Sequence, residues 1–133
     1  MSWTKKITRW SKVLRTRGPS NVIVEIGIGD GQRGSVSFLW ERSDGLVEEW
    51  DDIIPEDTVL EINLGSGDQV AHSSLDCVVL VKDFNPYAKW TSVDCNVYQK
   101  DHPERGHEKE LYAPKGVDNV IVPYFIRLTF ALS

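Results

Sequence analysis

Residues 21–40 read NVIVEIGIGDGQRGSVSFLW, in which apolar side chains recur at alternate positions on both sides of a glycine-rich middle. A period of two is typical of a β-strand that buries one face. The apolar residues in question are Val22, Val24, Ile26, Ile28, Val36, Phe38 and Trp40. We predict two strands joined as a hairpin centred near Gly31, which would pair Ile26 with Val36.

The rest of the chain repeats this alternation between clusters of turn residues. It predicts further strands at 46–50, 58–64, 75–82, 91–98 and 118–131. Acidic and polar loops are expected at 51–57 and 100–109, and Pro123 marks an edge, a bulge or a break in the last strand. Short strands at this spacing predict an all-β fold, an antiparallel β-sandwich of about seven or eight strands.

Two cysteines fall within the second hairpin that the alternation suggests, between 75–82 and 91–98. Centred on Pro86, this hairpin places Cys77 opposite Cys95 on the core-facing side. We therefore predict two buried, reduced thiols. The N-terminal residues lack the apolar segment of a signal peptide, so a cytoplasmic protein is expected.

Charge divides the chain unevenly. Residues 1–20 carry six Lys or Arg and no acid, whereas the other 113 residues carry nine basic and twenty acidic residues, which gives +6 and −11. We divide the chain into a basic N-terminal arm at 1–20 and a β-sandwich domain at 21–133. A basic arm on an acidic body favours contact with an anionic partner, and the acidic body argues against nucleic acid.

The arm also carries an apolar stripe with helical spacing. Trp3, Ile7, Trp10 and Leu14 are separated by four, three and four residues, which predicts an amphipathic helix over 3–17. This helix would pack on its own sandwich, dock on a partner or second copy, or lie on an anionic membrane. The predicted partner-binding residues are the stripe and the cations around it: Trp3, Ile7, Trp10, Leu14, Lys5, Lys6, Arg9 and Lys12.

The glycine-rich segment resembles the first motif of Rossmann-type methyltransferases. In that family an apolar strand, here Val24–Ile28, precedes a Gly-x-Gly-x-x-Gly loop, here Gly29, Gly31 and Gly34. The resemblance implies a small-ligand site or a methyltransferase-like enzyme that uses this loop, followed by a helix. The residues that follow, 35–40, favour a strand, and a hairpin loop accounts for the glycines as well.

Aromatic residues at one turn form a second candidate site. Phe84, Tyr87 and Trp90 lie in or next to the turn at 83–87, where aromatic rings stack on a ligand such as a sugar, serve as binding hot spots for a protein partner, or cover the open end of a sandwich. The histidines and acids match no defensible catalytic or metal-ligating spacing, so we predict no metal and no cofactor.

These observations favour a non-enzymatic binding or assembly module. Its basic arm would dock on a partner or on a sister subunit, meeting acidic residues of that copy: Glu48, Glu49, Asp51 and Asp52. A membrane-binding or lipid-binding sandwich that uses the same arm is the alternative.

Overall fold

A computed structural model describes residues 6–56, 58–82, 87–114 and 121–133, and these fold into nine strands and one short helix. The strands are β1 Arg9–Thr16, β2 Asn21–Ile28, β3 Arg33–Glu41, β4 Val47–Ile54, β5 Val59–Ser66, β6 Ser74–Lys82, β7 Trp90–Gln99, β8 His102–Pro114 and β9 Val122–Leu132; the helix α1 spans Gly67–Val70. The prediction of an all-β fold is confirmed.

The strands form two sheets that share one hydrophobic core. Their orders are β1-β9-β6-β3-β4 and β5-β2-β7-β8. Alternate residues of the central strands are buried between the sheets, which is the arrangement of a β-sandwich. One polar link crosses this core, because the Tyr124 hydroxyl of β9 donates to the Thr91 carbonyl of β7 at 2.9 Å.

The glycine-rich segment connects the two sheets instead of forming a hairpin. β2 pairs with β5 and β7, whereas β3 pairs with β4 and β6, so the predicted pairing of Ile26 with Val36 is wrong. Asp30 and Gly31 adopt positive φ angles of 60° and 69°, and the Gln32 amide donates to the Gly29 carbonyl. A tight turn of this kind therefore reverses the chain from one sheet to the other.

The second predicted hairpin is also wrong, since β6 and β7 belong to different sheets. Cys77 lies beside Phe38 and Ile126, and Cys95 lies beside Ile26. Both thiols are free and buried in the core, and their burial was predicted correctly. Alternation reveals which face of a strand is buried, but it does not reveal the neighbouring strand.

The predicted N-terminal helix is wrong for residues 9–16, which form β1. This strand pairs in parallel with β9, from Arg9 beside Phe125 to Thr16 beside Leu132. An isolated helix of this length is marginal in water, whereas a strand on β9 satisfies backbone groups and buries its inner side chains. Lys6 precedes the strand, and residues 1–5 lie outside the described part of the chain.

Two segments predicted as loops are strands. Most of 51–57 belongs to β4, and most of 100–109 belongs to β8. Each strand lies at the end of its sheet, and most of its side chains are exposed, so neither shows the alternation of a buried strand. Residue 57 lies outside the described residues.

The last strand follows its prediction closely. β9 buries Tyr124, Ile126, Leu128 and Phe130, while Val120 lies outside the described residues. Pro123 does not interrupt β9. It lies before Phe125, where pairing with β1 begins, so its missing amide hydrogen falls where β9 has a neighbour on one side only.

Candidate functional site

The predicted apolar stripe of the arm is turned toward the core. Leu14 is 4% exposed, and Ile7 and Trp10 are partly buried against the hydrophobic cluster. In a strand, Trp10, Lys12 and Leu14 share the inner face, and Arg9 and Arg15 share the outer face. The stripe therefore packs on its own sandwich, and a helix that docks or inserts through it is excluded over 9–16. Trp3 and Lys5 lie outside the described residues.

The basic arm now forms one edge of the five-stranded sheet. β1 has a single strand neighbour, β9, and its eight residues include three cations and no acid. Lys6 and Arg17 extend the cationic run on either side. Val13 is 62% exposed on the outer face between the cations Arg9 and Arg15. This edge therefore presents open backbone groups, positive charge and an exposed apolar side chain.

The opposite edge of the same sheet is acidic. β4 also has a single neighbour, β3, and its eight residues include four exposed carboxylates and no cation: Glu48, Glu49, Asp51 and Asp52. Glu48 is paired with Arg42 at 3.2 Å, but the other three acids form no salt bridge within the described residues. Val47 and Ile53 are 57% and 71% exposed on the same strand.

The inner side of the acidic edge is incompletely covered. A groove of about 610 Å³ separates β4 from β5, the edge strand of the other sheet, and Trp50, Ile62 and Leu64 contribute its apolar surface. Trp50 stacks on Phe38 with ring centroids 4.8 Å apart. Polar side chains such as Arg42, Asn63 and Gln69 make up most of the lining, so the groove offers another chain hydrogen-bonding groups beside this apolar surface.

On the outer face of the five-stranded sheet, between its two edges, oppositely charged side chains pair with each other. Arg127 of β9 donates two hydrogen bonds to Asp76 of β6, at 2.8 and 3.0 Å. Hydrogen bonding to this carboxylate, and then its charge, raise the pKa of Arg127. Arg9 lies 4.6 Å from the centroid of the Phe125 ring. The opposite charges of the sheet are consequently concentrated at its two ends.

The four-stranded sheet carries much of the remaining acid. Asp94 of β7 lies directly beside Glu110 of β8. Burial, followed by the charges of Glu110 and Glu108, raises the pKa of Asp94. Repulsion between these carboxylates makes this face a poor surface for an anion. Among the described residues, no group of His, Cys, Asp and Glu has an arrangement that would hold a metal ion.

The glycine-rich loop lacks the context of a cofactor site. β3 follows it, not a helix, so no helix N-terminus faces the loop. Packing and turn geometry explain two of its glycines. Gly31 has a positive φ, and a Cβ on Gly34 would overlap the Leu80 carbonyl oxygen of the neighbouring strand.

The loop aromatics are not brought together as one platform by the described residues. Tyr87 is 91% exposed, whereas Trp90 is partly buried and meets Tyr112 edge to face at 5.9 Å. Phe84 lies outside the described residues. Trp90 therefore covers the sandwich beside β8, whereas Tyr87 presents its ring to solvent.

No known protein family, curated protein or solved structure matches this chain. No helix in the described part of the chain has the length and apolar character needed to cross a bilayer.

The site that sequence reasoning missed is the pair of sheet edges. Its only sequence signal was the division of charge, because the alternation that locates strands gave no indication that β1 and β4 end the same sheet.

Proposed function

We propose that this protein is a non-enzymatic assembly module that associates head to tail with further copies of itself. The basic edge β1 of one copy pairs with the acidic edge β4 of the next. The observation that carries the proposal is that the two free edges of one sheet bear opposite charges. Complementary charge steers association and suppresses pairing between like edges.

Strand direction supports this pairing. β1 and β9 are parallel, and the steps from β9 to β6, β3 and β4 are all antiparallel, so β1 and β4 run in opposite directions. A second copy in the same orientation would therefore place its β4 antiparallel to β1. Both strands have eight residues, and the ladder between copies would be antiparallel, like the pairs from β9 to β4 and unlike the parallel pair of β1 with β9.

One register matches both faces of this junction. Outer residues must meet outer residues, because the pleat alternates in step across neighbouring strands. When Arg15 lies opposite Glu49, both on the outer face, Lys12 lies opposite Asp52 on the inner face. In the same register Leu14 lies opposite Trp50. Trp10 lies opposite Ile54 as well, so the junction then contains two ion pairs and two apolar pairs.

A head-to-tail junction uses two different surfaces of each copy. Repetition therefore produces a ring if the rotation between copies closes, and an open chain if it does not. The inner side of the junction also faces the groove beside Trp50, which the neighbouring copy would cover.

Charge reversal tests the proposal without disturbing the core. Arg15 and Glu49 are exposed, whereas deletion of residues 1–20 would remove β1 and its buried Leu14. We expect Arg15→Glu and Glu49→Arg each to weaken association by about tenfold, since each replaces an ion pair with repulsion. The measurement is light scattering behind size exclusion at low and high salt.

The control is Lys89→Glu, which makes the same change of charge as Arg15→Glu at an exposed residue outside both edges. It should associate like the unaltered chain. High salt should weaken association of the unaltered chain, because the screening length falls from about 10 Å at 0.1 M to about 3 Å at 1 M. A monomer at every concentration and salt would contradict the proposal.

A further inference from the structure

A second charged feature lies between β1 and β8, where the two sheets separate. The Ile7 amide and carbonyl form two hydrogen bonds with Tyr112 of β8, at 2.8 and 2.9 Å. Beyond this bridge β1 follows β9, and the end of β1 diverges from the beginning of β8. The gap is a cavity of about 500 Å³.

The lining of this cavity is cationic on a chain whose net charge is −5. Asp101 is the single acidic side chain among its described lining residues. The basic side chains that line it are Arg15, Arg17, Arg105, His102 and His107. Arg15 also belongs to the proposed junction, so Arg17 and Arg105 are the two arginines assigned to this cavity. The apolar part of its lining, here called its floor, includes the core residues Val22, Val97 and Phe130, which are only 1–2% exposed, and the more exposed Pro19 and Tyr98.

The arginines of this lining have unused binding capacity. Arg17 and Arg105 are exposed and form no salt bridge within the described residues. His102 Nδ1 lies 3.5 Å from a carboxylate oxygen of Glu104, so this histidine already has a partner. A guanidinium offers a planar set of donors that matches the oxygens of a phosphate group.

The wall that carries Arg17 is held in place by hydrogen bonds. The Gln99 side chain donates to the carbonyls of Arg17 and Ser20, at 2.8 and 3.0 Å. The Gly18 amide donates to the Asp68 carboxylate at 2.7 Å, and the Asp101 amide donates to the Ser20 hydroxyl at 2.9 Å. A wall fixed before binding lowers the entropy that a ligand must overcome.

We infer that this cavity binds a phosphate monoester whose organic part is apolar. The guanidinium groups of Arg17 and Arg105 supply two positive charges for a monoester dianion, which carries about −1.5 to −2 at pH 7. The apolar floor accommodates the group attached to the phosphate. The ligand class thus follows from the combination of a cationic rim and a hydrophobic floor.

Calorimetric titration of the full chain with phenyl phosphate, inorganic phosphate and phenol tests this inference. We expect phenyl phosphate to bind more tightly than inorganic phosphate, and phenol to show no binding. Arg17→Gln and Arg105→Gln should each weaken phenyl phosphate binding by about tenfold, the loss expected for one charge-assisted hydrogen bond. Lys89→Gln, outside the cavity, should leave affinity unchanged.

Three results would overturn the inference: no binding of phenyl phosphate at millimolar concentration, equal affinity for inorganic phosphate, or unchanged affinity in both arginine variants. Arg105 belongs to β8, outside the basic edge and β4, so Arg105→Gln should retain the association of the unaltered chain. Repeating the titration with Glu49→Arg separates the two proposals. That variant should lose association and keep phenyl phosphate binding.

Discussion

Cys95 shows how burial alone changes the chemistry of a side chain. Its thiol is fully buried in the core, and burial, followed by the charge of Asp94, raises its pKa from 9.0 to about 12. Burial, followed by the charge of Cys95, raises the pKa of Cys77 as well. Neither thiol is therefore available as a thiolate nucleophile in the folded protein near neutral pH.

This shift predicts a loss of stability at alkaline pH. Above pH 9.0 the unfolded chain releases the Cys95 proton, while the folded chain retains it up to a pH of about 12. The stability that the buried, protonated thiol contributes is complete below pH 9.0. It is lost between pH 9.0 and about 12, at up to about 1.4 kcal/mol per pH unit. Urea unfolding across this range should give a steeper decline for the unaltered chain than for Cys95→Ala.

The comparison uses the slope of the stability curve, because Cys95→Ala also lowers stability at every pH by leaving a cavity. Tyrosines titrate in the same range, but they are common to both proteins and cancel in the difference. Parallel curves for the two proteins would show that Cys95 titrates alike in the folded and unfolded chains.

At the scale of single elements, Gly34 illustrates how strand packing places a glycine. β3 passes close to β6 there, and a Cβ on Gly34 would overlap the Leu80 carbonyl oxygen and lie 3.1 Å from the Val81 Cα. Since backbone atoms cannot rotate away, Gly34→Ala should destabilise the protein by about 1–3 kcal/mol. The measurement is the free energy of unfolding in urea.

Gly27→Ala is the matched control within β2. Its Cβ would contact the Val59 side chain at an ordinary 3.5 Å, so the substitution should be neutral or stabilise by about 0.5–1 kcal/mol. If a cofactor loop were the reason for Gly34, both alanine variants would unfold alike. Opposite effects would assign Gly34 to the packing of β3 on β6.

Among the described strands, sequence analysis located every one that has a neighbour on both sides, and it also located β5, which lies at the edge of its sheet. In β2, β3, β6, β7 and β9 the buried face appears as an alternation of apolar residues, and each was predicted. The errors arose at the edges. Trp10 and Leu14 fit a helical stripe as well as a strand face, and the decisive factor is the free side of β9, which no local pattern records.

The sequence predicted the charges of the candidate site but not the position of its strands in the sheet. The division of charge along the sequence located a basic segment and four acids, and these form β1 and part of β4. Their placement at opposite edges of one sheet depends on strand order, which long-range pairing determines. Arg17 and Arg105 are likewise far apart in sequence, and the cavity they share depends on the turn before β2 and the turn after β7.

At the scale of the whole molecule, the two charged edges make a prediction that distinguishes head-to-tail pairing from symmetric pairing. In Arg15→Glu the altered β1 repels the normal β4, and in Glu49→Arg the altered β4 repels the normal β1. An equimolar mixture restores both junctions, because each altered edge finds its opposite on the other variant. Sedimentation velocity at low salt should show assemblies in the mixture that neither variant forms alone.

A symmetric dimer through β1 would behave differently. Two copies of β1 would bring like charges together, so Arg15→Glu would relieve repulsion and strengthen association instead of weakening it. Mixing would then yield no more assembly than the better variant alone. Because the two arrangements predict opposite signs for the same substitution, the Arg15→Glu protein separates them even before the mixture is made, and the mixture then shows whether β4 supplies the complementary edge.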